Sequence, residues 1–435
     1  MPHPLTKATM WIVGVATTWT YLASFCAPLR AENWSGWRGP RGDGTSLETD
    51  VPRHWTGDEN VAWKVRIPGQ GHASPIVWDD LVFMSSCDEE KEERILLCLD
   101  RQSGKTLWQR VVVTASLETK HHLNSHASST PMTDGEQVYV TFLEPDGKEV
   151  PALNVGSDRM VSSGNMVVAA YNLAGEQQWL VRPGGFASVH GFCSCPVLFQ
   201  NLVIVNGDHD GDAYIVALDR TTGNTVWKVP RENKTRSFVT PIIREIDGRV
   251  QMMLSGSLTV TSYDPETGKL LWYIDGPTEQ FVASPVYAQQ LLMLTAGYPE
   301  YHILAIDPTG KGNVTDSHVV WSTTKGAGYV PSPIAIDTFL LVATDGGVIS
   351  CFESVTGDRL WRERVGSHYS GSPVAANGLV YYVADDGITT VIQPGDEFNV
   401  LATNALGENS YSSPAISQQQ IFIRGEKHLF CIGKQ

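Results

Sequence analysis

The sequence lacks the short motifs that identify several large enzyme classes. It contains no nucleophile elbow, no Walker loop, no His-Glu-x-x-His pair and no dinucleotide fingerprint. It also has no Cys-x-x-Cys pair and no two adjacent cysteines, so its seven cysteines form no recognisable zinc motif. No local motif therefore assigns a catalytic class.

Positive charge is scarce as well. The 435 residues include 32 Lys and Arg against 47 Asp and Glu, which gives a net charge of −15. DNA and RNA are excluded as expected partners, because binding phosphates requires a basic surface. The length suits two or three ordinary domains or one large repeat array.

The one long apolar run lies at the N terminus. Residues 1–31 resemble a signal peptide, with Lys7 ahead of the apolar stretch Met10–Ala27 and a cleavage site after Ala31. A membrane anchor is the alternative, although three threonines interrupt the stretch. Cys26 is a poor lipidation site because Phe25 stands where a small residue is needed. We therefore expect a periplasmic or secreted protein with no transmembrane helix after cleavage.

A ten-residue unit recurs through the rest of the chain. Its clearest copy runs from Leu218 to Trp227, where Asp219 opens a polar turn that closes on Gly223 and leads to Trp227. Asp can bond its own turn and Gly can adopt positive φ, so the unit predicts a β-hairpin with a half-buried Trp. The other copies are Leu99–Trp108, Asn172–Trp179, Tyr263–Trp272, Phe352–Trp361 and a longer one from Asp307 to Trp321.

A second mark is Ser, Thr or Cys followed by Pro at the head of an apolar strand. It occurs eight times, at Pro75, Pro131, Pro196, Pro241, Pro285, Pro333, Pro373 and Pro414. Together the two marks predict an all-β fold, an eight-bladed propeller of four-stranded antiparallel blades. The last blade lacks its outer strand, and Asn60–Ile67 looks like that strand without a hairpin partner. We predict that the N terminus completes blade eight and closes the ring.

The predicted chain has three parts. Residues 1–31 are a signal peptide, residues 32–58 are a Gly-rich segment expected to lie over the ring without strands, and residues 59–435 are the propeller. No helix is predicted, and we expect a monomer. Three cysteines, Cys98, Cys351 and Cys431, occupy equivalent repeat positions and suit small buried hydrophobes. A Cys87–Cys98 bridge and a strained Cys193–Cys195 bridge stay open as alternatives.

The Pro-headed strand followed by the Asp-x-x-Thr-Gly-x-x-x-Trp hairpin resembles the quinoprotein-like (PQQ-like) β-propeller repeat over about residues 59–435. The start of the tail, from Trp34 to Ser46, looks like that of secreted bacterial members of unassigned activity. The resemblance implies two branches. One contains alcohol and methanol dehydrogenases that bind pyrroloquinoline quinone (PQQ) with calcium, and the other contains non-catalytic members such as the outer-membrane assembly lipoprotein BamB.

The sequence departs from the enzyme branch. Calcium-type quinoprotein dehydrogenases place a disulfide between adjacent cysteines against the cofactor, and Cys193-Ser194-Cys195 is the nearest match here. Their calcium-ligand and catalytic-Asp motifs find no counterpart. The resemblance therefore predicts the fold and leaves catalysis open.

Irregular loops concentrate on one predicted face, opposite the Asp-Gly hairpins. Variation on one face of a regular scaffold is typical of a binding surface. The candidate ligand-binding residues on this face are His72, Asn124, His126, His190, Asp208, Asp210, Arg231, Tyr329 and His368. The alternative is that they are solvated loop residues or are bonded to backbone at the channel wall. Asp208, Asp210 and Asp212 suit an acidic hairpin tip, with a calcium loop as the alternative.

Two functions follow as hypotheses. The first is an extracytoplasmic, non-catalytic propeller that holds a cell-envelope protein or a small polar or carbohydrate ligand on the irregular face. The second is an oxidoreductase that uses PQQ and calcium, with Arg231 and Asn124 as cofactor contacts and Asp208 or Asp210 as base. A polysaccharide-processing enzyme is a third possibility for the scaffold, but no paired carboxylates can be named for it.

Overall fold

The computed structural model describes Met1 and residues 31–152, 159–256 and 258–434. The predicted signal peptide, including Cys26, therefore lies almost wholly outside the described residues. From residue 31 onward the chain forms one compact unit. In the part of the chain that the structure describes, no helix is both long and apolar enough to span a membrane.

Eight antiparallel sheets of four principal strands form the propeller. Two strands precede the first blade, β1 (Thr45–Ser46) and β2 (Val61–Arg66). Blade 1 contains β3 (Ile76–Trp78), β4 (Leu81–Asp88), β5 (Glu93–Asp100) and β6 (Thr106–Thr114). Blade 2 contains β7 (Met132–Thr133), β8 (Gln137–Pro151), β9 (Met160–Asn172) and β10 (Gln177–Ala187). Blade 3 contains β11 (Val197–Phe199), β12 (Leu202–Gly207), β13 (Tyr214–Asp219) and β14 (Thr225–Pro230).

Blades 4 to 7 follow the same order. Blade 4 contains β15 (Ile242–Ile246), β16 (Arg249–Gly256), β17 (Thr259–Tyr263) and β18 (Leu270–Asp275). Blade 5 contains β19 (Val286–Ala288), β20 (Leu291–Ala296), β21 (His302–Ile306) and, after β22 (Gly312–Asn313) and α1 (Thr315–His318), β23 (Val319–Thr323). Blade 6 contains β24 (Ile334–Ile336), β25 (Phe339–Ala343), β26 (Val348–Glu353) and β27 (Arg359–Arg364). Blade 7 contains β28 (Val374–Ala376), β29 (Leu379–Val383), β30 (Ile388–Gln393) and β31 (Asn399–Ala405).

Blade 8 is built from both ends of the propeller. Its inner strands are β32 (Ala415–Ser417), β33 (Gln420–Arg424) and β34 (His428–Ile432). The outer strand is β2, which pairs antiparallel with β34 and places Trp63 opposite Cys431. The predicted closure by an N-terminal strand is confirmed.

Six of the eight blades pack on the next through the Trp of the outer strand, and blade 7 has no Trp in that strand. The indole N–H donates to a backbone carbonyl in the hairpin of the following blade, in the pairs Trp63–Arg101 (2.7 Å), Trp108–Leu173 (2.9 Å), Trp179–Arg220 (3.0 Å), Trp227–Pro265 (3.2 Å), Trp321–Ser354 (3.0 Å) and Trp361–Gly395 (2.9 Å). The hairpin Gly lies under the ring: a Cβ at Gly104 would come within 2.7 Å of Trp63, and φ there is +69°. Trp and Gly in the repeat are therefore the two halves of one contact between blades.

Blade 4 departs from this rule. Trp272 is fully buried and donates to Oε1 of Gln251 at 2.7 Å instead of to the next hairpin. The extra residues of the sixth repeat copy cover it, because β22 adds to blade 4 beside Trp272. The same insertion contains α1, so the prediction of no helix is wrong at this point. The four residues of α1 are too few for a helical pattern to show in the sequence.

The Ser, Thr or Cys before each strand-head Pro links neighbouring inner strands. The backbone N–H of this residue donates to the side chain of its counterpart in the next blade, in the pairs Ser74–Thr130, Thr130–Cys195, Thr240–Ser284, Ser284–Ser332, Ser332–Ser372 and Ser372–Ser413. The distances are 2.9–3.0 Å between N and O and 3.3 Å from Thr130 N to Cys195 Sγ. This position therefore needs a small side chain with an acceptor atom.

The cysteines of the described chain are all free. Cys98, Cys351 and Cys431 are fully buried, as expected for small hydrophobes. The Cys87–Cys98 alternative is wrong because the register places Cys87 opposite Arg94 and Cys98 opposite Phe83. Cys195 acts as a hydrogen-bond acceptor in the inner ring.

The Gly-rich segment crosses the hairpin face of the ring. Trp34 exchanges two backbone hydrogen bonds with Val77 in blade 1, and buried Arg38 donates to the carbonyl of Pro333 in blade 6. The segment also contains β1, which pairs in parallel with β28 of blade 7, so the expectation of no strand here is wrong by two residues. This tail lies over the channel opposite the irregular face.

We predict that Trp63→Ala destabilises the closed ring. The substitution removes the indole that packs on Gly104 and its hydrogen bond to Arg101, and buried Trp→Ala changes typically cost about 3–5 kcal/mol. Urea unfolding of the purified chain measures the effect. Leu107→Ala is the control, since Leu107 lies on an outer strand and is 49% exposed. Equal stabilities of the two variants would contradict the assigned role.

Candidate functional site

A cavity with a volume of about 1420 Å³ occupies the channel on the irregular face. Its walls come from the connections between blades and from the inner ring of hydroxyls, including Ser74, Thr130 and Thr240. Trp37 of the N-terminal segment also lines it. Because that segment crosses the opposite face, Trp37 forms the floor of a cavity that opens on the irregular side.

The structure brings together five of the nine residues that the sequence analysis selected. His72, Asn124, His190, Tyr329 and His368 line the cavity. The other four, His126, Asp208, Asp210 and Arg231, do not line it: His126 is buried beside Glu118, and the other three are buried in ion pairs.

Arg231 and Asp208 form one of these pairs. Nε of Arg231 donates to Oδ1 of Asp208 at 3.0 Å, and the guanidinium also bonds Thr261, Tyr263 and the carbonyl of Gly256. Every side of the guanidinium is occupied by protein, which is what a buried charge requires. The placement corrects the hypotheses that Arg231 contacts a cofactor and that Asp208 is a base at the irregular face.

The run Asp208-His209-Asp210-Gly211-Asp212 is not a solvated tip throughout. Asp210 is buried, accepts from Nη1 of Arg236 at 2.7 Å and also accepts the amide of Val189. Asp212 is exposed and pairs with Lys234 at 2.6 Å. Each carboxylate thus has a cationic partner, and among the described residues no three His, Cys, Asp or Glu are placed to hold a metal ion.

His126 lies beneath the loop that follows blade 1. Its Nδ1 is 3.1 Å from Oε2 of Glu118, which also pairs with fully buried Arg94. The three groups tie the loop to the hairpin of blade 1. His126 is therefore a structural residue and not part of the cavity wall.

The sequence analysis missed Arg236, a cation of the cavity wall. Its side chain lies in the connection from blade 3 to blade 4 and is 3% exposed. Nη1 pairs with Asp210, whereas Nε has no hydrogen-bond partner. The sequence places three cations within six residues, Arg231, Lys234 and Arg236, but it does not show which of them lines the channel. Lys234 and Arg159 also line the cavity.

Two histidines of the wall are held neutral. Burial lowers the pKa of His72 to about 3, and the charges of Arg424 and Lys120 add to the effect. Burial also lowers the pKa of His190 to about 4, together with the charge of Arg236. At neutral pH these rings therefore offer hydrogen bonds without adding positive charge.

The wall formed by blades 6 and 7 is rich in acceptors. Oδ1 of Asp345 accepts the amide of Val330 at 2.8 Å, and burial raises the pKa of this carboxyl. Nδ1 of His368 lies 2.6 Å from Oδ2 of Asp385, and Ser370 donates to the same carboxylate. The Asp385 carboxylate thereby fixes the orientation of the His368 ring at the cavity.

Known proteins share this fold and its repeat. A sequence model for the family described as outer membrane protein assembly factor BamB matches residues 55–157, 143–339 and 300–425. The chain belongs to this family. The predicted resemblance to the PQQ-like repeat is confirmed. No curated protein matches the chain.

Solved structures of this family's propeller type are similar in fold. BamB from Moraxella catarrhalis superposes with a TM-score of 0.57 at 13% identity, over 86% of this chain and 97% of that one. The quinohemoprotein alcohol dehydrogenase ADHIIG from Pseudomonas putida HK5 gives 0.61 at 10% identity, over 93% and 80%. The corresponding enzyme from Comamonas testosteroni gives 0.51 at 12%, over 93% and 81%. At these identities the similarity establishes the fold alone.

We predict that His190 makes the protein less stable in acid. Between the ordinary His pKa of 6.5 and about 4, the unfolded chain binds a proton that buried His190 does not. The free energy of unfolding therefore falls as pH drops through this window. His190→Asn should reduce the fall, as measured by urea unfolding from pH 7 to pH 4 against wild type.

His54→Asn is the matched control, because His54 is exposed on the N-terminal segment. A wild-type profile that differs from the His190→Asn profile only by a constant offset would contradict the assignment. A flattened profile for the control variant would do the same.

Proposed function

We propose that this propeller is an extracytoplasmic binding protein that holds a small anionic polar ligand, such as an acidic carbohydrate, in the channel cavity. The observation that carries the proposal is Arg236, a cation of the cavity wall that pairs with Asp210 through Nη1 and has no hydrogen bond at Nη2 among the described residues. Periplasmic or secreted placement follows from the predicted signal peptide.

The electrostatics of the wall support an anion. A guanidinium has five N–H donors, and a carboxylate of the ligand can accept those that Asp210 does not use. Burial strengthens such a bond because water no longer competes for the charges. Lys234 and Arg159 also line the cavity, and three carboxylates, Glu232, Glu279 and Asp345, line it as well. The positive charge available to an anion is therefore confined to the wall around Arg236.

The other lining groups suit a hydroxylated ligand. Hydroxyls of the inner ring, the neutral histidines and the amide of Asn124 can donate or accept hydrogen bonds. Aromatic rings of Trp37, Tyr298 and Tyr411 supply flat apolar surface. Pockets that combine apolar walls with a few convergent polar groups are the usual form of a small-molecule site.

The family description also suggests a protein partner in the cell envelope. Such a partner would contact the rim of the irregular face, whereas Arg236 is 3% exposed and lies inside the channel. This burial favours a small ligand over a flat protein interface. Binding of an envelope protein without binding of any small anion would favour the alternative.

Several residues assigned to the calcium-dependent quinoprotein alternative are not available in the cavity. The described residues contain no group of three His, Cys, Asp or Glu placed to hold a metal ion, and Asp208 and Asp210 are committed to arginines. Cys193 and Cys195 are free and separated by Ser194. We therefore derive no reaction step through PQQ.

Calorimetric titration with trigalacturonate tests the proposal. We expect saturable binding by the mature chain and at least tenfold weaker binding of its methyl ester, which has the same shape without the charge. A tenfold change corresponds to about 1.4 kcal/mol. Absence of trigalacturonate binding, or equal binding of the ester, would contradict anion recognition. Binding of PQQ with calcium and turnover of alcohols would instead favour the oxidoreductase.

The variant that assigns the site is the double substitution Arg236→Gln with Asp210→Asn. Changing both partners avoids leaving a buried charge unpaired, which alone could unfold the chain. We expect at least a tenfold loss of trigalacturonate affinity with an unchanged circular dichroism spectrum. Arg362→Gln is the control, since Arg362 is exposed on the outer strand of blade 6.

A further inference from the structure

Two groups of opposite charge line the cavity, and we call them its poles: Arg236 is the first, and Asp345 with His368 is the second. Arg236 lies in the connection from blade 3 to blade 4, and His368 lies in the connection from blade 6 to blade 7. Asp345 lies at the tip between β25 and β26 of blade 6. Blades 4 and 5 lie between the connection that contains Arg236 and the blade that carries Asp345, so the two charged groups line different parts of the cavity wall.

The second pole lacks a cation of its own. Asp345 is half-buried, and the bonds that the structure gives it come from backbone amides, with Val330 N at 2.8 Å. Among the described residues no Lys or Arg forms an ion pair with it. A buried carboxylate without a cationic partner is costly unless a ligand supplies the charge. Asp345 therefore presents at the cavity a carboxylate that a cationic group of a ligand can pair with.

The neighbouring His368 adds a fixed acceptor. Asp385 accepts from Nδ1, so in the neutral ring the proton lies on Nδ1 and Nε2 is an acceptor. Nε2 has no partner among the described residues, and the ring lines the cavity. An ammonium group has three N–H donors, and it can bond Asp345 and His368 Nε2 at the same time.

From these two poles we propose that the ligand is a zwitterion whose carboxylate binds at Arg236 and whose ammonium group binds at Asp345 and His368. The inference rests on the proposed function and names the class of its ligand. Peptides with free ends and amino sugar acids have this chemistry, with the two charges separated by a polar spacer. The matching separation is set by the distance between the two poles.

Glycine oligomers with free ends are the simplest probes of this arrangement. Each residue adds up to about 3.3–3.6 Å of length, so oligomers from triglycine to hexaglycine sample the span between the poles. Calorimetric titration of the mature chain should find one length that binds best. N-acetylation of that oligomer removes the ammonium, C-terminal amidation removes the carboxylate, and each change should weaken binding at least tenfold.

Asp345→Asn identifies the ammonium pole. We expect this variant to lose at least tenfold in affinity for the free-amine oligomer while its affinity for the N-acetylated oligomer stays unchanged. A general distortion of the cavity would weaken both. Asp396→Asn is the control, because Asp396 is exposed at the hairpin of blade 7. A melting curve of each variant establishes that it is folded.

The outcomes separate the two proposals. Equal binding of the free and N-acetylated oligomers would overturn the zwitterion and leave anion binding in place. The same conclusion follows if trigalacturonate binds and no glycine oligomer does. If neither trigalacturonate nor any oligomer binds, both proposals are wrong. A length optimum with the Asp345-dependent loss supports the zwitterion.

Discussion

The contact of a Trp with the hairpin Gly of the next blade is the interaction on which the structure depends. A single four-stranded blade leaves both faces of its sheet apolar, and the buried clusters of this protein lie between neighbouring blades. The Trp–Gly contact fixes the spacing at which those faces meet. The same contact joins blade 8 to blade 1 through Trp63 and Gly104. The ring therefore closes through the contact that also joins other neighbouring blades.

This packing constrains the two faces of the ring differently. On one face six of the hairpins are held in place by the contact with the preceding Trp, and the N-terminal segment crosses the channel there. On the other face the connections between blades carry no such constraint and vary in length. The charged cavity is built from these connections, above an inner wall whose hydroxyls are already bonded from blade to blade.

The repeat could be predicted from the sequence because its chemistry is local: Gly at positive φ, Trp at a fixed offset and Pro at the head of a strand. The site was only partly predictable, because charge pairing is not local. Arg231 and Arg236 lie five residues apart on one connection, and Asp208 and Asp210 two apart on one tip. Which cation faces the channel depends on how the two loops meet. His126 was selected for its neighbours in sequence, whereas its partner Glu118 and fully buried Arg94 hold it away from the cavity.

The central claim is that Arg236 presents an anion site inside the channel. Crystals of the mature chain soaked in 4-bromobenzoate test it directly, because the aryl bromine does not alkylate the free cysteines and gives an anomalous signal that locates the anion. The account predicts a bromine peak in the cavity with the carboxylate oxygens within hydrogen-bond distance of the Arg236 guanidinium. Peaks confined to the outer surface, with the channel containing only water, would contradict it.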